Sequence, residues 1–210
     1  MPHLLVRRYV YDSAQRILHW WIGLATLLLI LTGLLGSNQD AGSGRAFMWD
    51  LHIIAGNVLI VGVVGRLVWG LIGSKHARFH SLFHFKAWIQ TLKSRRILSA
   101  DRGFGHHAQA SAAYLGYYIL VIAMCVTGLA LAGMVHGEGI LAPYFHDELT
   151  YLDIIRESHG YGMWMIVGFI VTHIGAIIFH EWHDGIPVAQ SIVSGFQYRT
   201  VKEEPLEKGE

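Results

Sequence analysis

The chain has 210 residues, 53% hydrophobic and only 15% charged, with 24 glycines and a formal net charge of +1. So few charges among so many apolar and small residues exclude an ordinary soluble domain and point to a helical membrane bundle. The single cysteine, Cys125, lies in an apolar run and excludes a disulfide framework, and no nucleic-acid partner is expected.

Four stretches are long enough to cross a hydrocarbon core of about 30 Å: residues 17–36, 51–72, 112–135 and 159–179. The first is too long for a secretory signal core and opens on the polar His19, which argues against a cleaved leader. Basic residues fix the orientation. Arg7, Arg8 and Arg16 precede the first span, and Lys75, Arg78, Lys86, Lys93, Arg95, Arg96 and Arg102 lie between the second and third. The connection between the third and fourth is acidic, with Glu138, Asp147, Glu148, Asp153 and Glu157. Both termini are therefore expected on the cytoplasmic side, and the short 37–47 loop and the acidic loop outside.

Within the second connection, Phe79, Leu82, Phe83, Trp88, Ile89 and Leu92 are interleaved with cations. The pattern suits a short amphipathic helix in the headgroup layer, or equally one packed against the bundle ends. His76, His80 and His84 are spaced to chelate a metal if helical, but no cysteine or carboxylate completes a site, and a solvated basic surface is the simpler account. Residues 1–199 are read as one domain, an all-α four-helix transmembrane bundle, and the charged stretch 200–210 as a disordered cytoplasmic tail.

Histidine inside a span is costly without a partner. His159 and His173 are fourteen residues apart in the fourth span, which returns them to one helix face about 21 Å apart along the axis. His52 opens an inward-running span and is level with His159; His19 opens an outward-running one and is level with His173. Depth alone pairs His52 with His159 near the outer surface and His19 with His173 near the inner one. His180 shares the face of His173 but falls about 10 Å further along. Facing imidazole pairs on bundle helices suit the two axial positions of an iron porphyrin, which then passes single electrons because no open site remains.

Gly33 follows His19 by fourteen residues and comes level with the outer pair, where it can admit a ring edge or serve only helix packing. Arg66 follows His52 by the same interval and comes level with the inner pair, where it can meet a haem propionate or snorkel to the surface. Two readings without haem compete: a proton or metal-ion transporter using the histidines, and a purely structural anchor. The spans look continuous and hold no buried carboxylate, unlike the broken helices of transporters.

The runs RILHWWIGLATLLLILTG, GRLVWG, HGYGMWMIVGFIVTH and SIVSGFQYR resemble the cytochrome b subunit of membrane-bound nickel–iron hydrogenases, related to the membrane subunits of formate dehydrogenase and thiosulfate reductase. The resemblance runs from Tyr9 to Arg199 and implies two non-covalent b-type haems, held by His52 with His159 and by His19 with His173. It further implies an inner-membrane electron carrier between a periplasmic hydrogenase and quinone, with quinone reduced beside the inner haem and the chain embedded in a larger complex. Asp12, Arg16, Glu181, His183 and Asp184, with Tyr11 nearby, become candidates for quinone binding or proton supply. Gly160 stands where hydrogenase subunits often carry a second basic or histidine residue, and the outer loop is short. Those departures leave open a different periplasmic dehydrogenase or a multihaem cytochrome c as partner.

Overall fold

A computed structural model describes residues 3–82, 89, 108–145 and 150–202. Four long apolar helices, each able to cross a membrane, dominate it: α1 (Ser13–Asn38), α2 (Ser43–Ile72), α3 (Ala108–Leu131) and α5 (Leu152–Asp184). Short α4 (Ala142–Phe145) follows a π-helical turn, Ala132–His136, and α6 (Ala189–Ser194) follows α5. The expected bundle is present; α1, α2 and α5 are longer than the apolar runs alone delimit, and α3 is shifted toward the N-terminus. The 37–47 loop is narrower than expected, because α2 already begins at Ser43.

The chain is not purely helical. β1 (His3–Tyr9) pairs antiparallel with β2 (Phe196–Lys202), Val6 opposite Arg199 and Tyr9 opposite Phe196. β2 is rich in β-branched and aromatic residues, which suit a pleated pair, and β1 contributes Val6 and Tyr9. Gly195 turns the chain into β2 at φ +86°, a conformation that favours glycine, and its carbonyl accepts from the backbone N–H groups of Val10 and Tyr11. β2 reaches Lys202, three residues into the stretch read as a disordered tail, while residues 203–210 lie outside the described set. The amphipathic stretch 79–96 begins as a 3₁₀ turn at Phe79–Leu82; nearly all of the rest also lies outside it.

Asp12 starts α1. Its carboxylate accepts from the Gln15 amide at 2.8 Å, and also from Trp69 Nε1 and the Ser74 hydroxyl, so one side chain ties the start of α1 to the end of α2. α1 and α2 form one hairpin, α3 and α5 a second, with the closest packing inside each. A Cβ on Gly62 would come within 2.6 Å of Trp21 Cδ1, which is how closely α1 and α2 approach. Between the hairpins, Ile22, Ala25, Leu59, Val63, Val121 and Ile166 form the buried core. Outward faces are apolar and exposed, as a lipid-facing surface requires: Leu24, Leu31, Val61, Val68, Ile119, Trp164 and Ile178 are among them.

Candidate functional site

Four histidines meet in two pairs, one on each side of the apolar core. Toward the end of the bundle that carries the β1–β2 sheet, His19 of α1 faces His173 of α5, ring centroids 6.3 Å apart. Toward the opposite end His52 of α2 faces His159 of α5, centroids 6.4 Å apart. The near equality has a chemical meaning. A metal bound by two imidazoles on opposite sides needs two metal–nitrogen bonds of about 2 Å, which with the two ring radii spans about 6 Å. Two helix pairs at different heights thus present the same opening.

The donor set is that of a neutral, ligating imidazole. Thr32 Oγ1 lies 3.0 Å from His52 Nδ1, and Thr127 Oγ1 lies 2.8 Å from His159 Nδ1. Each threonine hydroxyl donates its one proton to a carbonyl a turn back, Thr32 to Leu28 at 2.8 Å and Thr127 to Ala123 at 2.9 Å. With its proton on that carbonyl, each hydroxyl is free to accept from the ring, an arrangement that suits an imidazole carrying Nδ1–H with the Nε2 lone pair open to a metal. Beside each threonine is a glycine. A Cβ on Gly33 would lie 3.3 Å from His52 Cε1, and one on Gly128 would lie 3.3 Å from His159 Cε1. Gly33 thus lies against His52, at the level of the His52–His159 pair.

The other pair has an aromatic setting. His19 meets the edge of Trp20, centroids 5.8 Å apart, and His173 lies parallel to Phe169 at 5.9 Å. Phe169 stacks on Tyr117 at 4.5 Å, and Tyr117 adjoins Tyr118. Over Tyr118 and Phe79 lies the guanidinium of Arg66, 2% exposed. Its Nη2 donates to the Ala77 carbonyl at 3.1 Å, while Nε and Nη1 are buried without a hydrogen-bond partner. Among the described residues these two nitrogens have no acceptor, and although the Asp12 carboxylate lies within electrostatic reach, they leave room for a further anion. This favours the anion-binding role over snorkelling, since an Arg reaching for water would not be enclosed.

The remaining candidates divide. His180 does not face His19; its Nδ1 bonds Asp184 at 3.1 Å, and His183 Nδ1 bonds the other oxygen of Asp184 at 3.0 Å. Glu181 accepts the Ala189 amide at 2.7 Å and so caps α6. Asp12 is engaged in joining α1 to α2. Burial raises its proton affinity, but the bonds from Ser74, Gln15 and Trp69 outweigh that and hold the carboxyl below its ordinary value. Burial pushes the neighbouring Tyr11 hydroxyl up to about 12. Arg16 donates to the Val193 carbonyl and to the Ser13 hydroxyl, and lines an open surface groove of about 630 Å³ with Ser13, Ile17, Trp20, Trp21, Ile192 and Val193. That groove runs beside Trp20, the neighbour of His19.

Thr32, Thr127, Gly128, Phe169 and Tyr117 escaped the sequence reading. A signal existed for the first three: the tripeptide Thr-Gly-Leu occurs at Thr32–Leu34 and again at Thr127–Leu129, once in each hairpin.

Residues 10–195 match the model of the family described as prokaryotic cytochrome b561. Among curated proteins, the chain is 27% identical to the probable Ni/Fe-hydrogenase 1 B-type cytochrome subunit of Escherichia coli K12, covering 92% of both chains. It is 28% identical to the corresponding probable subunit of Cupriavidus necator, over 93% of this chain and 88% of that one. The Rhodobacter capsulatus subunit is likewise 28% identical, over 95% of this chain and 84% of its own.

Proposed function

The chain belongs to the prokaryotic cytochrome b561 family, and from that premise we propose that it carries electrons between a periplasmic nickel–iron hydrogenase and membrane quinone. The family implies haem b, and the observation that carries the reading further is the pair of His–His openings, 6.3 and 6.4 Å between ring centroids, at two heights of one bundle. In this reading His52 and His159 hold one haem, His19 and His173 a second. Such a haem, held by an imidazole from each side, would supply single-electron transfer rather than a site for dioxygen or substrate.

The protein's own part is positional and electrostatic. Thr32 and Thr127 present the lone pairs of His52 and His159, and Gly33 and Gly128 leave the imidazole edges uncrowded. Arg66 supplies the positive charge that an inner propionate needs. The layer of Ile22, Leu59, Val63, Val121 and Ile166 excludes water between the two levels, keeping the cofactors in a dry, low-dielectric interior.

The sheet end is assigned to the cytoplasm. Arg7, Arg8, Arg16, Lys75 and Arg78 gather there, and Glu138, Asp153 and Glu157 occupy the other end. Hydrogenase therefore docks at the end nearer His52 and His159, in keeping with the partner named in the relatives' descriptions. Quinone occupies the groove between Arg16, Trp20 and Val193, of a size suited to a small ligand and largely apolar. Arg16 and Ser13 offer the polar contacts there, and Asp184 with His183 and His180 is the proton supply closest in kind to known relays.

The test uses the complex purified from membranes. Reduced-minus-oxidised absorption with haem counted per chain should give two b-type haems, and the complex in liposomes should reduce quinone with hydrogen as donor. A correctly inserted chain without haem bands defeats the reading.

A further inference from the structure

The two histidine pairs are anchored differently. Both rings of the His52–His159 pair have Nδ1 within hydrogen-bond distance of a threonine hydroxyl, at 3.0 and 2.8 Å. Each hydroxyl can accept from the ring because its own proton has a carbonyl of the same helix within reach, Leu28 for Thr32 and Ala123 for Thr127. The His19–His173 pair has only ring contacts, with Trp20 and Phe169, and among the described residues no hydrogen bond reaches either imidazole. The contrast also follows the hairpins. Thr32 of α1 serves His52 of α2, and Thr127 of α3 serves His159 of α5, so each hairpin carries its own threonine–histidine bond. Neither threonine belongs to the four-histidine set, and neither touches the inner pair.

We propose that Thr32 and Thr127 are positioning residues that fix the tautomer and ring plane of His52 and His159, and so hold iron bound there at a lower reduction potential than iron bound by His19 and His173. The inference rests on the haem reading above. An imidazole that donates a hydrogen bond from Nδ1 is more basic at Nε2. Stronger donation favours the oxidised metal, and hydrogen bonding of this kind is one of the protein's levers on potential. With both ligands of one iron so held and, among the described residues, neither ligand of the other, the outer site is the weaker oxidant. One electron given up at the outer pair and one gained at the inner pair then balance in a downhill transfer, needing no further reactant. The threonines thus give the bundle a direction, from the hydrogenase side toward quinone.

The experiment is a redox titration, followed by haem absorption and by electron paramagnetic resonance of the oxidised protein, on the purified complex with Thr32→Val, Thr127→Val, and the serine variants at both positions. Valine keeps the shape and removes the acceptor; serine keeps the acceptor. Each valine variant should raise the reduced-to-oxidised ratio of the outer haem at a fixed applied potential by about threefold to tenfold, tenfold being about 59 mV for one electron. Its low-spin ferric resonance should shift with the freed ring, the inner haem should not move, and serine should restore both signals. If a valine variant loses the outer haem while serine keeps it, the positioning role stands. Unchanged outer potential and resonance with haem retained, equal shifts of both haems, or loss of the outer haem with serine as well as valine would each overturn the proposal. Failure of the haem reading itself is a separate result, because it appears in the unsubstituted protein as an absence of haem bands.

Discussion

His159 and His173 sit on one helix and face different partners, His52 on α2 and His19 on α1, at almost the same ring spacing of 6.4 and 6.3 Å. A single helix, α5, therefore contributes one side of both openings, and the α1–α2 hairpin contributes the other side of each. Damage to one level need not reach the other, because the Ile22–Leu59–Val63–Val121–Ile166 layer stands between them.

That separation gives the first prediction. His159→Ala should remove the outer haem and stop electron entry while the inner haem assembles, and His19→Ala should do the reverse and abolish quinone reduction. Haem per chain should fall from two to one in each case. Two haems retained in His52→Ala would break the pairing.

Arg66 carries buried positive charge, with Nε and Nη1 unpartnered among the described residues. Arg66→Gln removes that charge and should make the inner haem easier to oxidise. Its midpoint is expected to fall by roughly the 59 mV that marks a tenfold change in a one-electron equilibrium. The outer midpoint should move less, as read by titration of the two absorption components.

Gly62 lies where α1 and α2 nearly touch. A Cβ there would come within 2.6 Å of Trp21 Cδ1, and the indole is held in place by its 2.9 Å bond to the Val58 carbonyl. Gly62→Val should cost about 1–3 kcal/mol, the usual range for overpacking. Thermal unfolding in detergent should show a lower midpoint, whereas Gly160→Ala, with open space around it, should leave it unchanged.

Asp12 joins two helices through one carboxylate, and its folded proton affinity lies below the ordinary value of 3.8. A depressed value means the ionised form is the one the fold stabilises. Its contribution is thus complete above 3.8, and it is lost as pH falls through the lower folded value. Asp12→Ala should cost about 1 kcal/mol at neutral pH from the lost helix cap alone. The difference from the unsubstituted protein should close in strong acid, measured by denaturation across a pH series.

Much of this was legible in the order of residues. Apolar runs set the four spans because a lipid interior leaves a helix as the only way to satisfy a lone chain's backbone. The fourteen-residue interval put His159 and His173 on one face, and the direction of each span then fixed which histidines share a depth. Helical periodicity and length are local properties, so they can be read without knowing the neighbours. The same holds for Gly33, placed by its interval from His19.

Tertiary structure decided what depends on contact between distant segments. The repeated Thr-Gly-Leu marks Thr127 but does not say that its hydroxyl meets His159, thirty-two residues away, nor does the sequence say that Arg66 ends over Phe79 and Tyr118 with Nε and Nη1 unpartnered among the described residues. Asp12 and Glu181 became candidates by position alone; packing adds that Asp12 accepts from Trp69 and Ser74 and that one oxygen of Glu181 accepts the Ala189 amide. The β1–β2 sheet was invisible for the same reason, since each strand has its hydrogen-bond partner at the far end of the chain. A side chain's chemistry is set by its type, but its role is set by which donors and acceptors the fold leaves for it, and only packing determines that.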